Sequence, residues 1–151
     1  MRTIFAMALA AAMSVATLLP AAAQAQTQAQ QAYKPKAVYH LDDSQANGLK
    51  ALRNIRNHLN TAPETDIVLV AHSQGVDMFM EGARHGKSGT DFAPLIADLK
   101  AKGVKFQICE ITLQRRKLSK DKFILEVDYT PSGVVALTDL QLKEGRAYIK
   151  P

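Results

Sequence analysis

From Lys34 onward the chain alternates short apolar runs with segments of helical period. Ala37-Val38-Tyr39-His40-Leu41 reads as a strand. Asp42, Asp43 and Ser44 follow with helix N-cap chemistry. Ala46, Leu49, Leu52, Ile55 and Leu59 then recur every three or four positions, with Lys50, Arg53, Arg56 and Asn57 on the other face. That spacing predicts an amphipathic helix, stopped at Thr61-Ala62-Pro63. Ile67-Val68-Leu69-Val70-Ala71 is an unbroken apolar run, the pattern of a parallel strand covered on both faces. Ser73-Gln74-Gly75 is read as a turn, with Gly75 supplying a conformation other residues avoid, and residues 76–83 as a short helix. Beyond a polar loop at residues 84–90, Asp91 caps a helix with Phe92, Leu95, Ile96 and Leu99 on one face. Pro94 is tolerated in its first turn, and Gly103 lies past its end. Val104-Lys105-Phe106-Gln107-Ile108-Cys109 is a third strand, and residues 112–123 form a weaker helical segment. Leu125-Glu126-Val127-Asp128-Tyr129 alternates as a fourth strand, broken by Pro131-Ser132-Gly133. Val134, Leu137 and Leu140 mark a last helix ending at Gly145, and Ala147-Tyr148-Ile149 a final short strand.

Strands alternating with helices predict an α/β domain: a mostly parallel, five-stranded sheet with helices on both faces. In such sheets chemistry collects just beyond the carboxyl ends of the strands. Four stretches qualify: His40-Leu41-Asp42-Asp43, His72-Ser73-Gln74, Cys109-Glu110-Ile111 and Tyr129-Thr130-Pro131-Ser132.

The N-terminus follows a different pattern. Arg2 precedes an apolar run from Ile4 to Leu19, and Ala23-Gln24-Ala25 is an A-x-A cleavage pattern. This is the layout of a secretory signal peptide, and the run is too short to span a membrane. Residues 1–25 are therefore expected to be removed on export, which implies the periplasm, with no membrane contact afterwards. Residues 26–34 read as a Gln/Ala-rich linker, leaving 35–151 as the folded domain. At 47% hydrophobic and 22% charged residues the chain is too apolar to be disordered. A domain of this length folds unaided but is too short for a (β/α)₈ barrel. Losing Arg2 lowers the net charge of +5 by one. The remaining mild positive balance is compatible with small anions or an acidic partner but is explained first by ordinary surface chemistry. No basic run with interleaved aromatics points to nucleic acid.

The single cysteine, Cys109, is the most informative residue. In an exported protein it cannot close an internal disulfide, so it is buried and inert, paired between chains, or a reactive thiol. With Thr112 capping a helix just after it, the thiol would face orphan N–H donors and about half a positive charge. Arg115 and Arg116 add positive charge, and Glu110 opposes it. These positive terms would lower the pKa of an accessible thiol, but a free cysteine is more often a buried structural residue, and on the residues alone that reading leads. Ala71-His72-Ser73-Gln74-Gly75 resembles a G-x-S-x-G nucleophile elbow, which would make Ser73 the nucleophile of a hydrolase. The first glycine is missing, however, and His85 is the one histidine downstream. His40 and His72 end neighbouring strands and are candidates for binding or acid–base work. No H-x-x-H or C-x-x-C spacing supports a metal, and none is expected. His58 and His85 are expected to be solvated. Asp42 and Asp43 are explained by helix capping, and residues 117–122 by a solvated face. The loop at 84–90 is a possible lid.

Gly103-Val104, Cys109 and Arg115-Arg116 form a strand–Cys–helix segment that resembles the corresponding segment of the DsrE/TusD sulfur-relay proteins. The stretch from Pro131-Ser132-Gly133-Val134 through Leu140-Gln141 to Glu144-Gly145-Arg146-Ala147-Tyr148-Ile149-Lys150-Pro151 is similar to the C-terminus of exported DsrE/DsrF-like proteins, and Val70-Ala71-His72 and Gly75 also match them. The resemblance spans about residues 36–151. It implies a flavodoxin-like parallel sheet, assembly as a trimer or hexamer, and a cysteine, here Cys109, that carries sulfane sulfur as a persulfide. No cofactor is implied. The expected function is a periplasmic, DsrE-like thiol protein that exchanges sulfur with a periplasmic donor or acceptor through Cys109. His40, His72, Ser73, Thr112, Arg115 and Arg116 are the candidate binding residues around it. The alternative is a non-enzymatic, oligomeric module for small-anion binding or assembly.

Overall fold

The computed structural model describes residues 34–151. The expected signal peptide, and all of the linker but Lys34, lie outside the described residues. Five strands, β1 (Lys36–Asp43), β2 (Asp66–Gln74), β3 (Lys105–Cys109), β4 (Val127–Thr130) and β5 (Ala147–Ile149), form one sheet in the order β4-β3-β2-β1-β5. All four pairings are parallel. Four helices connect them: α1 (Ser44–Thr61), α2 (Ala93–Ala101), α3 (Glu110–Arg116) and α4 (Gly133–Leu142). The architecture is flavodoxin-like.

The alternation of side chains along each strand sorts the core into two layers. Tyr39 and Leu41 of β1, Ile67, Leu69 and Ala71 of β2, and Phe106 and Ile108 of β3 pack against Leu52, Ile55 and Leu59 of α1 and Ile96 and Leu99 of α2. Val38, Val68 and Val70 point the other way, onto Leu137 and Leu140 of α4. Stepping from β1 to β4 in one direction with right-handed crossovers keeps the intervening helices on one face. The return from β4 to β5 reverses direction and places α4 on the other. By the same alternation His40, His72 and Cys109 belong to the α4 side.

Several boundaries differ from expectation. Ser73 and Gln74 end β2 and are not a turn, and the segment after them is a short 3₁₀ turn, Gly75–Phe79, with no longer helix. Its Val76, Met78 and Phe79 are buried on all sides, so they carry no helical stripe. Gly75 is required for space: a Cβ there would lie 2.3 Å from the Leu41 carbonyl oxygen. The left-handed residue is Ser73, at φ 52°. Asp91 caps nothing; it pairs with Arg84, and Phe92 holds the cap position of α2. The segment at 112–123 is α-helical only to Arg116; Lys117 then turns left-handed at φ 54°, and a short 3₁₀ turn follows at Lys120–Lys122. Fourth-strand pairing begins at Val127, and Leu125 stands 97% exposed. Val134, expected on the buried face of α4, is exposed. Asp43 alone caps α1, accepting from the N–H groups of Gln45 and Ala46 at 2.9 Å each. Asp42 instead pairs with Lys150. His85 is held by Ser88 and by the Gln45 carbonyl, and the loop around it is pinned to α1.

Candidate functional site

β3 ends at Cys109, which itself occupies the N-cap position of α3. Thr112 therefore lies inside the first turn of that helix and does not cap it. Cys109 is 5% exposed. It shares a cavity of about 320 Å³ with His72, Ser73, Thr112, Arg115 and Ser132. Two helix starts converge on the sulfur, those of α3 and α4. Burial alone would push the thiol pKa up. The Gly133 N–H, the Thr112 hydroxyl and N–H, and the Ile111 N–H all favour the anion and outweigh burial, so the thiol falls below its ordinary 9.0. The thiol makes no full cap hydrogen bond, so the effect is the field of these donors and not one strong contact. Glu110, the expected opponent, is neutralised by Lys120.

Gly133 is the first residue of α4 and lies against both chemical groups. A Cβ on it would come within 3.2 Å of the Cβ atoms of Cys109 and of His72. A side chain there would make Cys109 or His72 give by a few tenths of an ångström, and glycine lets α4 start this close to the sheet without that shift. Ser132 precedes it as the cap, accepting from the Val135 N–H at 3.4 Å.

The histidines form a row across the strand ends. His40 Nε2 lies 2.6 Å from His72 Nε2. His40 Nδ1 lies 2.6 Å from the Tyr148 hydroxyl on β5. His72 Nδ1 lies 2.9 Å from Ser73 Oγ. At that separation one Nε2 must donate and the other accept, so the two rings cannot both be fully protonated. Burial lowers the His40 pKa first, with the His72 and Lys150 charges acting the same way against Asp42. Burial also lowers His72, over the opposing pull of Asp42. As pH falls through about 6.5 the unfolded chain takes up protons that the folded chain refuses until lower pH. The stabilisation from neutral rings is therefore complete above about 6.5 and declines below it, levelling off only once the folded-state values are passed. We expect the melting temperature to fall between about pH 7.5 and pH 5 and the His40→Gln/His72→Gln double variant to show a flatter dependence. Equal slopes in thermal melts of the two proteins would remove these rings as its cause.

Of the sequence-derived candidates, the fold brings His72, Ser73, Thr112 and Arg115 to the Cys109 cavity. His40 reaches it only through His72. Arg116 turns away: its guanidinium donates to the Ser73 carbonyl at 3.0 Å and stands 2.7 Å from Asp77 Oδ1, without hydrogen-bond alignment to the latter. It lines a second, polar cavity of about 610 Å³ with Asp43, Gln45, Ser73, Gln74 and Asp77. Ser73 meets His72 and not His85. No carboxylate completes a triad, because the second nitrogen of His72 meets His40. Ser132 ends the last of the four strand-end stretches, whereas Tyr148 and Gly133 lie outside all four. The even-numbered alternation that places Val38 and His40 on one face was the available signal. Among the described residues no group of three or more His, Cys, Asp or Glu is placed to hold a metal, and no helix is long and apolar enough to cross a membrane.

Two solved structures share this architecture. A protein of unknown function from Methanobacterium thermoautotrophicum, MTH1491, is 28% identical with a TM-score of 0.68, the match covering 78% of this chain and 99% of that one. The ychN protein of E. coli is 17% identical with a TM-score of 0.63, covering 79% and 100%; at that identity the likeness speaks for the fold. No curated protein matches the chain. The DsrE/DsrF-like family matches residues 5–151. With that span and this sheet, the chain belongs to the DsrE/DsrF-like family, whose members are generally tied to sulfur relay.

Proposed function

We propose that this protein is a periplasmic sulfur carrier that accepts sulfane sulfur on Cys109 as a persulfide and hands it on. The observation that carries the reading is the placement of the one cysteine: beside a cavity, between two helix starts, with its pKa held below the ordinary thiol value despite burial. The Cys109 thiolate attacks the outer sulfur of a donor persulfide. The donor S–S bond breaks, its electron pair leaves on the donor thiolate, and a new S–S bond forms at Cys109. The proton lost by Cys109 ends on the departing thiol, so nothing is oxidised overall. Arg115 is the cation placed to hold an anionic donor at the cavity. The leader-like pattern of residues 1–25 supports export. Homo-oligomers, trimers or hexamers as the family resemblance implies, are part of the same reading. Val134, Val135 and Leu142 leave an apolar stripe of α4 exposed in the single chain, which association would cover.

The test is intact-mass spectrometry of the protein after incubation with polysulfide, beside Cys109→Ser. We expect one added sulfur on the wild type, removed by reductant and absent from the variant. No adduct, together with slow alkylation of Cys109 in the folded protein, would make the cysteine a core residue. The alternative of a non-enzymatic binding or assembly module would then stand.

A further inference from the structure

The row Tyr148–His40–His72–Ser73 spans three neighbouring strands and ends in the Cys109 cavity, a layout that packing alone does not call for. We propose that these four side chains form a proton conduit between solvent and the Cys109 cavity, taking the thiol proton away and returning one to the departing thiol. The inference rests on the sulfur-transfer reading for its purpose, but on the hydrogen-bond row for its existence.

The row has the property a conduit needs: every link can run in either direction. In one sense Ser73 Oγ–H donates to His72 Nδ1, His72 Nε2–H donates to His40 Nε2, and His40 Nδ1–H donates to the Tyr148 oxygen. In the other sense Tyr148 donates to His40, His40 to His72, and His72 to Ser73. Each state leaves both imidazoles neutral and every nitrogen partnered. A proton lost by the Cys109 thiol into the shared cavity and taken up by Ser73 converts the first state into the second and releases the Tyr148 hydroxyl proton to solvent. A proton entering at Tyr148 restores the first state and leaves one at Ser73 for the departing thiolate. No member carries net charge before or after.

The two ends are suitably placed. Tyr148 is 44% exposed on the edge strand. Ser73 lines the Cys109 cavity. The charges facing the row are few: Asp42 and Lys150 form a pair beside His40, and Arg115 stands at the cavity. Ser73 is fixed at the inner end by its N–H, which donates to Thr112 Oγ1 at 3.1 Å, and by Arg116 on its carbonyl. Its left-handed backbone at φ 52° is thereby held from both sides. His40 and Tyr148 touch neither cavity nor donor, so they act through His72 as positioning residues.

The experiment measures two rates at Cys109 across about pH 5 to 9, sulfur uptake from polysulfide and alkylation by iodoacetamide, in the wild type, His40→Gln and Tyr148→Phe. We expect uptake to fall about tenfold or more in His40→Gln and severalfold in Tyr148→Phe. We also expect the inflection set by the histidine pair to vanish from both pH profiles of His40→Gln. Tyr148→Phe removes one exposed hydroxyl, so it decides the matter if His40→Gln fails to fold. Rates within about twofold of wild type and unchanged profiles in the folded variants would overturn the conduit while leaving sulfur uptake intact. Conversely, if no sulfur is taken up but the alkylation profile loses its histidine-dependent inflection in the variants, the conduit stands and the sulfur reading falls.

Discussion

Gly75→Ala is expected to cost about 3 kcal/mol of stability or more, at the upper end of what overpacking does. The reason is local. Gly75 opens the 3₁₀ turn after β2, and its Cα presses on the last turn of backbone in β1. An added Cβ would lie 2.3 Å from the Leu41 carbonyl oxygen, 2.7 Å from its carbon and 3.1 Å from the Asp42 nitrogen. None of these atoms is the end of a flexible side chain. They belong to the strand that carries His40 and are tied to β2 through the pairing of Leu41 with Ala71, next to a register shift before Asp43. Relief therefore requires moving β1 against β2, which also moves His40 against His72. Gly82→Ala is the control: Gly82 has φ +70° and open space around it, so alanine there meets only the left-handed backbone cost of about 1–2 kcal/mol. Urea denaturation of both variants checks the ordering. A Gly75→Ala midpoint equal to or above that of Gly82→Ala would show that β1 yields without cost.

The architecture was readable because a few strong periodicities decide it. The helical stripe of Leu49, Leu52, Ile55 and Leu59 and the apolar run Ile67–Ala71 each admit one reading, and their alternation compels crossovers. The four strand ends that carry chemistry follow from that order. Where apolar residues are few or buried all round, the pattern lost its meaning. Val76, Met78 and Phe79 are buried in a 3₁₀ turn, and the helical signal of 112–123 rests mainly on Leu113. Leu125 and Val134 kept strand and helix patterns going in the sequence while facing solvent in the chain. Cys109 takes the cap position in place of Thr112 because a helix can begin on a residue without a strong side-chain cap when the backbone of the preceding strand delivers it in extended geometry, here φ −76° and ψ 116°.

The site was legible in its residues but not in its connections. Cys109, His40 and His72 are named by their chemistry and by lying at strand ends. Their sharing of one face follows from strand parity. What parity does not give is distance. The contact of His40 with Tyr148 joins residues 108 positions apart through the last crossover, and Gly133 enters the site because α4 crosses back over the sheet. Both depend on how far the return crossover slides before β5 pairs with β1. No local pattern encodes that slide; the packing of Leu137 and Leu140 on Val38, Val68 and Val70 sets it.

The residue that anchors this crossover is Arg146, and Arg146→Ala is expected to lower stability by about 2–3 kcal/mol, the scale for losing hydrogen bonds from a buried charged group whose acid partners keep some solvent. Arg146 precedes β5, and its side chain is 3% exposed. It donates to the Asp66 carboxylate at 2.8 Å, to the Asp66 carbonyl at 2.8 Å and to Glu144 at 2.9 Å. Asp66 begins β2 and pairs with Lys36 at the start of β1. The guanidinium therefore ties the edge strand to the centre of the sheet at the end opposite the site. Without it the Asp66 carboxylate, whose pKa the arginine holds down, keeps a charge that only Lys105 and Lys34 offset. Arg146→Lys keeps the charge but not the fork that serves side chain and backbone together, so it should recover only part of the loss. β5 has just three residues paired to β1, so part of the effect should be local. Amide exchange of Tyr148 and Ile149 is expected to accelerate more than that of Leu69 and Val70 in β2. Tyr148 would then leave His40, and the edge of the sheet and the outer end of the histidine row would fail together. Denaturation with residue-level exchange decides between this and a purely global loss, in which both sets of amides would accelerate to the same degree.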